Sequence, residues 1–388
     1  MIKIKQAINQ ILSSKFILET TSLELINTLG YTLAENIYSP ISMPPFNQSA
    51  MDGYAISGDL NQFNVVTEIK AGDTEIIKIK HGEAARIFTG AKTPEGTTAI
   101  AKQEIVSKNG DNITLLETVK LGTSIRKKGE EIKQNQLALK KGTTINPSAI
   151  GLLSGLGITT ISVFQKPKIT LIVTGNELIK PGQKLKLGKI YESNSFTIKS
   201  ALKATGYNCE IKLVKDNFEE TKKAINYAIE NSDLVIVTGG ISVGDYDFVG
   251  KSLNEIGVKE IFYKVNQKPG KPLYYGEKGK VKIFALPGNP AAALTCFYFY
   301  VLSALKLMSG IENPTLEKQT AILTHNYTKK GDRAHLLKAK INNGKVTIHK
   351  GQSSAMLSSF VEANCLLYLS EETLKIKEKS KVEVYLLP

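Results

Sequence analysis

The feature that most constrains the fold is a pair of continuously apolar segments that each end in glycine. They are KITLIVTG (168–175) and DLVIVTGG (233–240). Strands that are apolar at every position are typical of a sheet covered on both faces. Helical stretches at about 194–205 and 217–230 separate them, with another strand near 209–214. Strands that alternate with helices predict a parallel sheet with helices on both faces.

The same alternation continues for another seventy or so residues. A helix is expected at about 247–255, strands near 259–265 and 281–286, and a last helix starting at Asn289 and Pro290. The segment 167–312 is therefore predicted to be an α/β domain.

The sequence on either side of this domain is different in character. Apolar spacing predicts a helix over 3–13, and Thr21 or Ser22 is expected to cap a second helix that stops at Gly30. Residues 54–136 consist of short strand-like runs broken by turns, which indicates a β-rich module. Five more strands are expected at the C-terminus: TAILTH (320–325), AHLLKAKI (334–341), KVTIHK (345–350), NCLLYL (364–369) and KVEVYLL (381–387). They predict a small all-β domain after residue 313.

The charge balance favours an anionic ligand. The 388 residues carry 50 Lys and Arg against 36 Asp and Glu, a formal net charge of +14. Such an excess suits nucleic acid, anionic lipid or small phosphates and oxyanions. The lysines are spread along the chain, and no basic helix with interleaved aromatics occurs, so a nucleic-acid partner is not expected.

Cysteine usage and apolar run lengths bear on the compartment. Cys209, Cys296 and Cys365 are far apart and form no CxxC pair, which favours small buried hydrophobes over a thiolate metal site. The four histidines show no ligand spacing. The N-terminus lacks the apolar core of a signal peptide, and no run of about 18 apolar residues is evident. The expectation is a cytoplasmic protein with no membrane partner.

Four unusual loops are expected at the carboxyl ends of the sheet strands, where parallel sheets bind ligands. They are TGNE (174–177), TGGISVGDYD (238–247), KPGKP (268–272) and LPGNP (286–290). Each has an ordinary structural interpretation as a tight turn, a basic surface turn or a helix start. Four on one edge of a sheet favour a binding site.

The residue types in these loops suit an anion held together with a metal ion. Gly239 and Gly240 allow a close backbone approach and a nest of N–H groups. Asp245 and Asp247, with Glu177 from the first loop, offer the hard oxygen ligands that Mg²⁺ prefers.

The other two loops contribute positive charge and a helix start. Lys268 and Lys271 flank Pro-Gly on a constrained turn and suit a doubly charged oxyanion or a pyrophosphate. Asn289 is a good N-cap and Pro290 a good first helical residue, which would point a helix N-terminus at the same place.

A second group of polar residues lies in the N-terminal half. Asp52 stands in NQSAMDGYA (47–55), Thr89 in FTGAKTPEG (88–96), and Glu131 in RKKGEEI (126–132). Such strings are most often plain turns. As functional groups, they are two acids and a hydroxyl that another domain or subunit would bring over the sheet.

Together these strings resemble the molybdopterin molybdenumtransferase family, which is related to the E domain of gephyrin. The resemblance runs through the whole chain in nine strings that occur in the family's order: PPFNQSAMDGYA (44–55), FTGAKTPEG (88–96), RKKGEEI (126–132), ITLIVTGNEL (169–178), YESNS (191–195), VTGGISVGDYDFV (237–249), KPGKP (268–272), LPGNPAAAL (286–294) and SSAMLSSFVEAN (353–364).

The resemblance implies a multidomain α/β plus β fold. It comprises an elongated N-terminal dimerisation domain, a β-rich inserted domain, a three-layer α/β parallel-sheet domain that binds molybdopterin, and a C-terminal β-barrel. The corresponding ranges are 1–45 with 137–166, then 46–136, 167–312 and 313–388. It also implies a homodimer with each active site shared between the α/β domain of one subunit and the inserted domain of the other.

The implied reaction takes adenylylated molybdopterin and molybdate as substrates. Mg²⁺ assists cleavage of the phosphoanhydride, molybdenum enters the dithiolene, and AMP leaves, giving molybdenum cofactor. The resemblance also makes the preceding molybdopterin adenylyltransferase a candidate partner.

The resemblance assigns roles to residues at matching motif positions. The implied catalytic residues are Asp52, Thr89, Glu131, Asp245, Lys268 and Lys271, and the implied metal ligands are Glu177 and Asp245. The implied molybdopterin-binding residues are Thr174, Gly175, Glu177, Ser193, Asp216, Gly239, Gly240, Ser242, Gly244, Pro287, Gly288, Asn289 and Pro290. Glu131 departs from the Asp that family members often carry, and Asp216 rests on the looser string KLVKDNF (212–218).

Three alternatives remain open at the level of sequence. A gephyrin-like scaffold that binds peptides uses the same fold, but in gephyrin that use goes with a fused adenylyltransferase domain and a linker that this sequence does not contain. The adenylyltransferase itself resembles only the α/β domain. A tungsten-inserting relative is the third, because tungstate and molybdate have nearly the same size and charge.

Overall fold

The chain forms two compact units in a computed structural model that describes residues 1–14, 16–241 and 248–388. The first unit comprises Met1–Thr21, Gly30–Ala34 and Ser162–Pro388, and the second comprises Ser22–Leu29 and Glu35–Ile161.

The part of the chain before residue 167 contains two helices and twelve short strands among its described residues. The helices are α1 (Ile4–Ser13) and α2 (Pro147–Gly155). The strands are β1 (Thr20–Glu24), β2 (Ile37–Tyr38), β3 (Gln48–Ser49), β4 (Gly53–Ile56), β5 (Gln62–Ile69), β6 (Glu83–Ile87), β7 (Ala99–Lys102), β8 (Val106–Asn109), β9 (Asn112–Leu115), β10 (Ile125–Arg126), β11 (Leu137–Leu139) and β12 (Thr160–Phe164). The predicted helix over 3–13 is confirmed.

The predicted second helix, ending at Gly30, is wrong. Thr20–Glu24 is a strand with alternating exposure, and Leu25–Asn27 is a single 3₁₀ turn. The neighbouring β-branched residues Thr20 and Thr21 favour the strand, because their side chains lose freedom in a helix.

The second unit is built on a six-stranded sheet in the order β7-β4-β6-β5-β9-β8. Successive residues of β4 enter two apolar clusters, since Tyr54 and Ile56 belong to one and Ala55 to the other. Both faces of the sheet are therefore covered, and the β-rich character predicted for 54–136 is confirmed.

The α/β part of the first unit contains nine strands and five helices among its described residues. The strands are β13 (Ile169–Thr174), β14 (Leu178–Ile179), β15 (Ile190–Tyr191), β16 (Glu210–Val214), β17 (Leu234–Thr238), β18 (Lys259–Tyr263), β19 (Gln267–Lys268), β20 (Tyr274–Lys278) and β21 (Val281–Leu286). The helices are α3 (Asn194–Ala204), α4 (Phe218–Asn231), α5 (Phe248–Ile256), α6 (Pro290–Cys296) and α7 (Leu302–Met308), the last two joined by a π-helical turn, Phe297–Val301.

The main sheet has the order β16-β13-β17-β21-β20-β18 and is mixed, which corrects the prediction of a purely parallel sheet. The first four strands are parallel, whereas β20 is antiparallel to both of its neighbours. The reason is the two-residue connection to β21, because parallel neighbours need a crossover of about a dozen residues. Since β20 is reversed, β18 runs in the same direction as β21, and the two strands end at one edge.

Both faces of this sheet are buried, as the apolar strands predicted. Leu171 and Val173 belong to one apolar cluster together with residues of α3 and α6. Ile172 and Val237 belong to another cluster together with residues of α4 and α5. Polar groups of the strands are thus displaced to the ends of the sheet.

No apolar run long enough to span a membrane is expected from the sequence, and one helical run departs from that expectation. Pro290–Met308 is long and apolar enough to cross a membrane by length and composition, and 83% of its most apolar window is buried inside the protein. Its residues Phe297, Tyr300 and Leu305 are fully buried against the main sheet cluster. This burial is typical of a core helix.

The C-terminal part of the first unit is a closed five-stranded barrel, as predicted. Its strands are β22 (Lys318–Leu323), β24 (Ala334–Asn342), β25 (Lys345–Ile348), β26 (Cys365–Leu369) and β28 (Lys381–Leu386). Two short strands, β23 (Tyr327–Thr328) and β27 (Lys375–Ile376), pair beside it, and α8 (Ser358–Val361) is a single turn. Closure follows from β24, which pairs with both β25 and β26.

The barrel interior gives a test of its packing. Leu367 is fully buried between Leu337 and Val384 on neighbouring strands. Leu367→Ala should lower the free energy of unfolding by about 2–5 kcal/mol, through lost burial and an unfilled cavity. Urea unfolding would measure this. The matched control Leu374→Ala changes a residue that is 57% exposed, and an equal loss in both variants would contradict the barrel core.

Candidate functional site

The strand ends of the main sheet line up at one edge and border a cleft. Thr238 is paired with Val173 on one side and with Leu286 on the other. A cavity of about 620 Å³ opens at this edge. Its walls come from four predicted loops, the start of α3 and one barrel residue: Thr174, Glu177, Ser193, Asn194, Thr238, Gly239, Gly240, Pro272, Pro287, Gly288, Asn289, Pro290 and Ala355, with apolar neighbours. The structure therefore gathers sequence-predicted residues from separate loops around one space.

The floor of the cleft requires the two glycines. Gly239 has φ +87°, and a methyl group there would lie 2.2 Å from the carbonyl oxygen of Thr174. Gly240 has φ +60°, and its methyl group would lie 2.8 Å from Val249. Both positions combine the left-handed region with a close approach of neighbouring chain, which only glycine accommodates. Backbone, rather than side chain, thus faces the cleft here.

Asp216, whose motif is the loosest, lies close to the glycine floor of the cleft. Its Oδ1 accepts a hydrogen bond from Thr174 Oγ1 at 3.0 Å. Asn176 donates to the Asp216 carbonyl at 3.2 Å and accepts from its N–H at 3.1 Å. These contacts place the carboxylate beside Gly240, since a methyl group there would lie 3.4 Å from Asp216 Oδ1.

Glu177 and Gly175 lie on the first loop. Glu177 is exposed and lines the main cleft. Gly175 lines a second cavity of about 350 Å³, which shares Val173, Leu178 and Glu192 with the cleft. The two cavities are therefore neighbours with a common wall.

The start of α3 contributes a buried acid that the motif analysis missed. Glu192 is only 5% exposed, and its carboxylate accepts from Ser195 N at 2.7 Å and from Ser195 Oγ at 2.5 Å. The carboxylate thereby accepts from an N–H group in the first turn of α3, where the partial positive charge of the helix N-terminus stabilises an acid. The signal was an acid three residues before a serine in YESNS. Ser193, the N-cap residue, and Asn194 follow it along the cleft wall.

The last loop is held by polar contacts from other segments. Asn194 Nδ2 donates to the carbonyl of Gly288 at 2.9 Å. Asn289 is the N-cap of α6, as predicted, but its side chain makes no capping bond and donates instead to Ser354 Oγ at 3.1 Å. Ser354 belongs to the barrel, which also places Ala355 in the cleft wall. Sequence analysis did not predict this contribution from the barrel.

The segment KPGKP (268–272), called the lysine loop below, lies at the rim of the cleft. Lys268 and Lys271 are exposed, and Pro272 at the end of the loop lines the cleft. Lys268 pairs through its backbone with His335 of the barrel. Burial, together with the charges of Lys268, Lys329 and Arg333, lowers the pKa of His335 to about 4. A neutral imidazole therefore lies beside the lysines at neutral pH.

Two polar atoms of the cleft lack a hydrogen-bond partner within the described chain. They are Thr238 Oγ1, at the end of β17, and Asn194 Oδ1. Buried polar atoms without partners are uncommon and costly, so atoms of this kind beside a cleft suit contact with a ligand.

Part of the predicted site lies outside the described residues. Ser242, Gly244, Asp245 and Asp247 fall in the segment 242–247. Among the residues that the structure describes, no group of three or more His, Cys, Asp or Glu could hold a metal ion. Mg²⁺ commonly takes one or two carboxylates and completes its shell with water and substrate phosphate. Among the described residues, Glu177 lines the cleft and the Asp216 carboxylate lies beside Gly240.

The second unit contains the other predicted residues. Asp52 Oδ1 accepts from both Thr89 N and Thr89 Oγ1, each at 2.8 Å. The backbone bond and then the hydroxyl bond from Thr89, with the charge of Arg86, lower the pKa of Asp52. Glu131 is exposed, and its N–H donates to the carbonyl of Met43 at 3.1 Å. The structure thus places Asp52 and Thr89 in direct contact, which the sequence analysis did not predict.

Comparison with known proteins identifies the family. A curated molybdopterin molybdenumtransferase of Haemophilus influenzae is 35% identical over 387 residues, covering 96% of this chain and 95% of that protein. Its counterpart in Staphylococcus epidermidis is 32% identical and covers 99% and 95%. The chain belongs to the molybdopterin molybdenumtransferase family.

Family models match three successive parts of this molybdopterin molybdenumtransferase family member. They are described as the MoeA N-terminal region (domain I and II), over residues 2–157, a probable molybdopterin binding domain, over 170–307, and the MoeA C-terminal region (domain IV), over 320–387. A crystal structure of the molybdopterin biosynthesis moeA protein from Pyrococcus horikoshii is 29% identical, with a TM-score of 0.84 and full coverage of both chains. The cleft lies within the segment that matches the molybdopterin binding domain, apart from Ala355.

The glycine floor predicts a steric effect that a matched variant isolates. Gly239→Ala should lower the free energy of unfolding by about 1–2 kcal/mol for the left-handed backbone and by about 1–3 kcal/mol more for the overlap with Thr174. Gly257→Ala shares the positive φ, but no heavy atom of the described chain lies within 4 Å of its methyl group. Urea unfolding compares the two, and equal losses would contradict the close approach.

The Asp52 contact predicts a measurable titration. Thr89→Val removes the hydroxyl donor and keeps the backbone N–H, so the pKa of Asp52 should rise while staying below the ordinary 3.8. Because the folded-state pKa is the lower one, the bonds stabilise the fold above that ordinary value and lose their effect as the carboxyl is protonated in acid. Carboxyl-carbon NMR would follow the titration, and an unchanged pKa would contradict the hydroxyl contact.

Proposed function

We propose that this protein inserts molybdate into adenylylated molybdopterin, with Mg²⁺ assistance and release of AMP, to give molybdenum cofactor. Membership of a transferase family of molybdenum cofactor biosynthesis supports the proposal. The observation that carries it is the cleft at the sheet edge, where a glycine floor, an acid and a lysine loop converge. These are groups that bind a phosphoanhydride and an oxyanion.

In this proposal the charge of each residue decides whether it binds the anionic substrates or the Mg²⁺ ion. The backbone of Gly239 and Gly240 binds the phosphate groups, which need donors, together with the Thr238 hydroxyl, which has no hydrogen-bond partner among the described residues. Lys268 and Lys271 bind molybdate and neutralise charge on the departing AMP. Glu177 and Asp245 would hold Mg²⁺, with Asp216 beside them. The ion would supply Lewis-acid stabilisation of the leaving phosphate.

Assembly completes the proposed site. The four domains, 1–45 with 137–166, 46–136, 167–312 and 313–388, remain a proposal, with an elongated N-terminal part and a three-layer α/β part. We further propose a cytoplasmic homodimer in which Asp52, Thr89 and Glu131 of one subunit serve the cleft of the other. Transfer of the adenylylated intermediate from the adenylyltransferase would make that enzyme a partner.

The alternatives explain less of the chain. An adenylyltransferase role would account for the α/β domain alone, whereas family matches also extend over 2–157 and 320–387. A peptide-binding scaffold would give no reason for the acids and lysines around the cleft. Tungstate in place of molybdate is a choice of substrate within the same proposal.

An assay with purified substrates tests the proposal. The protein with adenylylated molybdopterin, Mg²⁺ and molybdate should release AMP, and molybdate should accelerate the release. Chromatography of the nucleotides would follow the reaction. AMP release that is absent, or indifferent to molybdate, would overturn the function.

Variants then test the assigned roles. Loss of one charge-assisted contact should lower molybdate-stimulated release about tenfold to a hundredfold in Lys268→Ala or Lys271→Ala. Asp245→Ala should reduce release at limiting Mg²⁺. Lys259→Ala changes an exposed lysine at the start of β18, the end remote from the cleft, and should leave the rate unchanged. Full activity in Lys268→Ala and Lys271→Ala would contradict the oxyanion role.

A further inference from the structure

A buried polar network lies directly beneath the lysine loop. Gln267 is fully buried, and its Nε2 donates to the carbonyl of Gly270 at 3.2 Å. The hydroxyl of Tyr300, also fully buried, donates to Gln267 Oε1. Gly270 stands between Lys268 and Lys271 in the chain, so the network ends at the middle of the loop.

The hydrogen-bonding chemistry fixes the direction of this network. A carbonyl oxygen only accepts, so the amide nitrogen of Gln267 faces Gly270 and the amide oxygen faces Tyr300. Burial raises the pKa of the Tyr300 phenol well above its ordinary value, and burial raises the pKa of the Cys296 thiol to about 12. Tyr300 therefore stays protonated and remains a donor throughout the working pH range.

Close packing holds the loop against the helix that carries Tyr300. Gly270 has φ +86°, and a methyl group there would lie 2.4 Å from Cys296 Sγ. Cys296 also lies 3.5 Å from Gln267 Nε2. Tyr300 belongs to the π-helical turn Phe297–Val301, a kind of turn that is frequent at functional sites. The loop therefore has little room to move toward the core.

Backbone hydrogen bonds also hold the loop in place. Lys271 O accepts from Val265 N at 3.0 Å and from Leu273 N at 2.9 Å. Gln267 and Lys268 pair with the barrel strand β24. The lysine side chains themselves are exposed, so their positions depend on the backbone beneath them.

The position of these polar groups in the core calls for a physical reason. Tyr300 and Cys296 belong to the largest apolar cluster, and an amide buried next to such a cluster costs free energy unless it is hydrogen-bonded. An apolar pair would fill the space without that cost, but it would leave the Gly270 carbonyl with only the weak thiol donor of Cys296, whose Sγ lies 3.8 Å away. The Gln267 amide gives that carbonyl a stronger donor, and Tyr300 holds the amide in place.

We propose that Tyr300 and Gln267 are positioning residues that hold Lys268 and Lys271 in place for oxyanion binding, by acting through the Gly270 carbonyl. The inference rests on the proposed function, in which the two lysines bind molybdate. It adds residues that touch neither substrate and lie below the loop.

Tyr300→Phe tests the positioning role, because it removes one hydroxyl and little volume. The KM for molybdate should rise about fivefold to tenfold through the less ordered lysines, whereas the KM for adenylylated molybdopterin should change less than about twofold. Tyr275→Phe is the matched control. Tyr275 is 1% exposed, and its hydroxyl donates to Glu277 Oε1 at 2.6 Å, away from the loop. Equal KM values for molybdate in the two variants would overturn the proposal.

A double-variant cycle separates positioning from general destabilisation. If Tyr300 acts through the lysines, Tyr300→Phe should have no further effect on the KM for molybdate once Lys268→Ala and Lys271→Ala are present. If Tyr300→Phe raised the KM for molybdate by the same factor in that background, the inference would be contradicted.

Hydrogen exchange of the segment 265–273 gives a readout that does not depend on turnover. Exchange should be faster in Tyr300→Phe than in wild type and unchanged in Tyr275→Phe. If wild type releases no AMP, the proposed function fails, while this measurement still decides whether Tyr300 holds the loop. Unchanged exchange in Tyr300→Phe would overturn the holding contact itself.

Discussion

Burial of both faces of the main sheet is the constraint on which the rest of the site depends. Strands such as β13 and β17 are apolar on both sides because helices pack above and below them. Helices on both faces leave the edge of the sheet as the place where polar groups collect. The ends of β13, β17 and β21 meet there because these strands are parallel, and β18 has the same direction because β20 lies antiparallel between it and β21. The cleft is a consequence of this topology.

Polar contacts between distant segments then give the cleft its shape. Thr174 joins the first loop to Asp216, and Asn194 joins the start of α3 to the last loop. Asn289 bonds to Ser354, so the barrel contributes to the wall. Each contact satisfies a polar group that would otherwise be costly in a partly buried place. The same reasoning applies below the lysine loop, where Gln267 and Tyr300 satisfy a carbonyl from inside the core.

Much of the fold was predictable where periodicity is strong. The buried strands, the helix over 3–13 and the barrel strands all follow from apolar spacing. The strand β20 was missed because YYGEK has no distinct pattern, and its direction depends on the short turn to β21. The false helix before Gly30 arose from the expected capping residues Thr21 and Ser22, which instead lie inside a strand. Local signals failed where tertiary pairing decided between two locally acceptable structures.

By itself, the sequence determined which loops border the cleft, because glycine, lysine and acidic residues stand out at the ends of apolar strands. It also determined the family, through motifs that run along the whole chain. Only the tertiary structure decided that Glu192 and Ser354 belong beside those loops, and it located the predicted Asp216 next to Gly240. It alone revealed the buried pair of Tyr300 and Gln267 under Gly270. The physical reason is that a side chain's hydrogen-bond partner is set by packing between segments far apart in sequence, and no local pattern encodes that proximity.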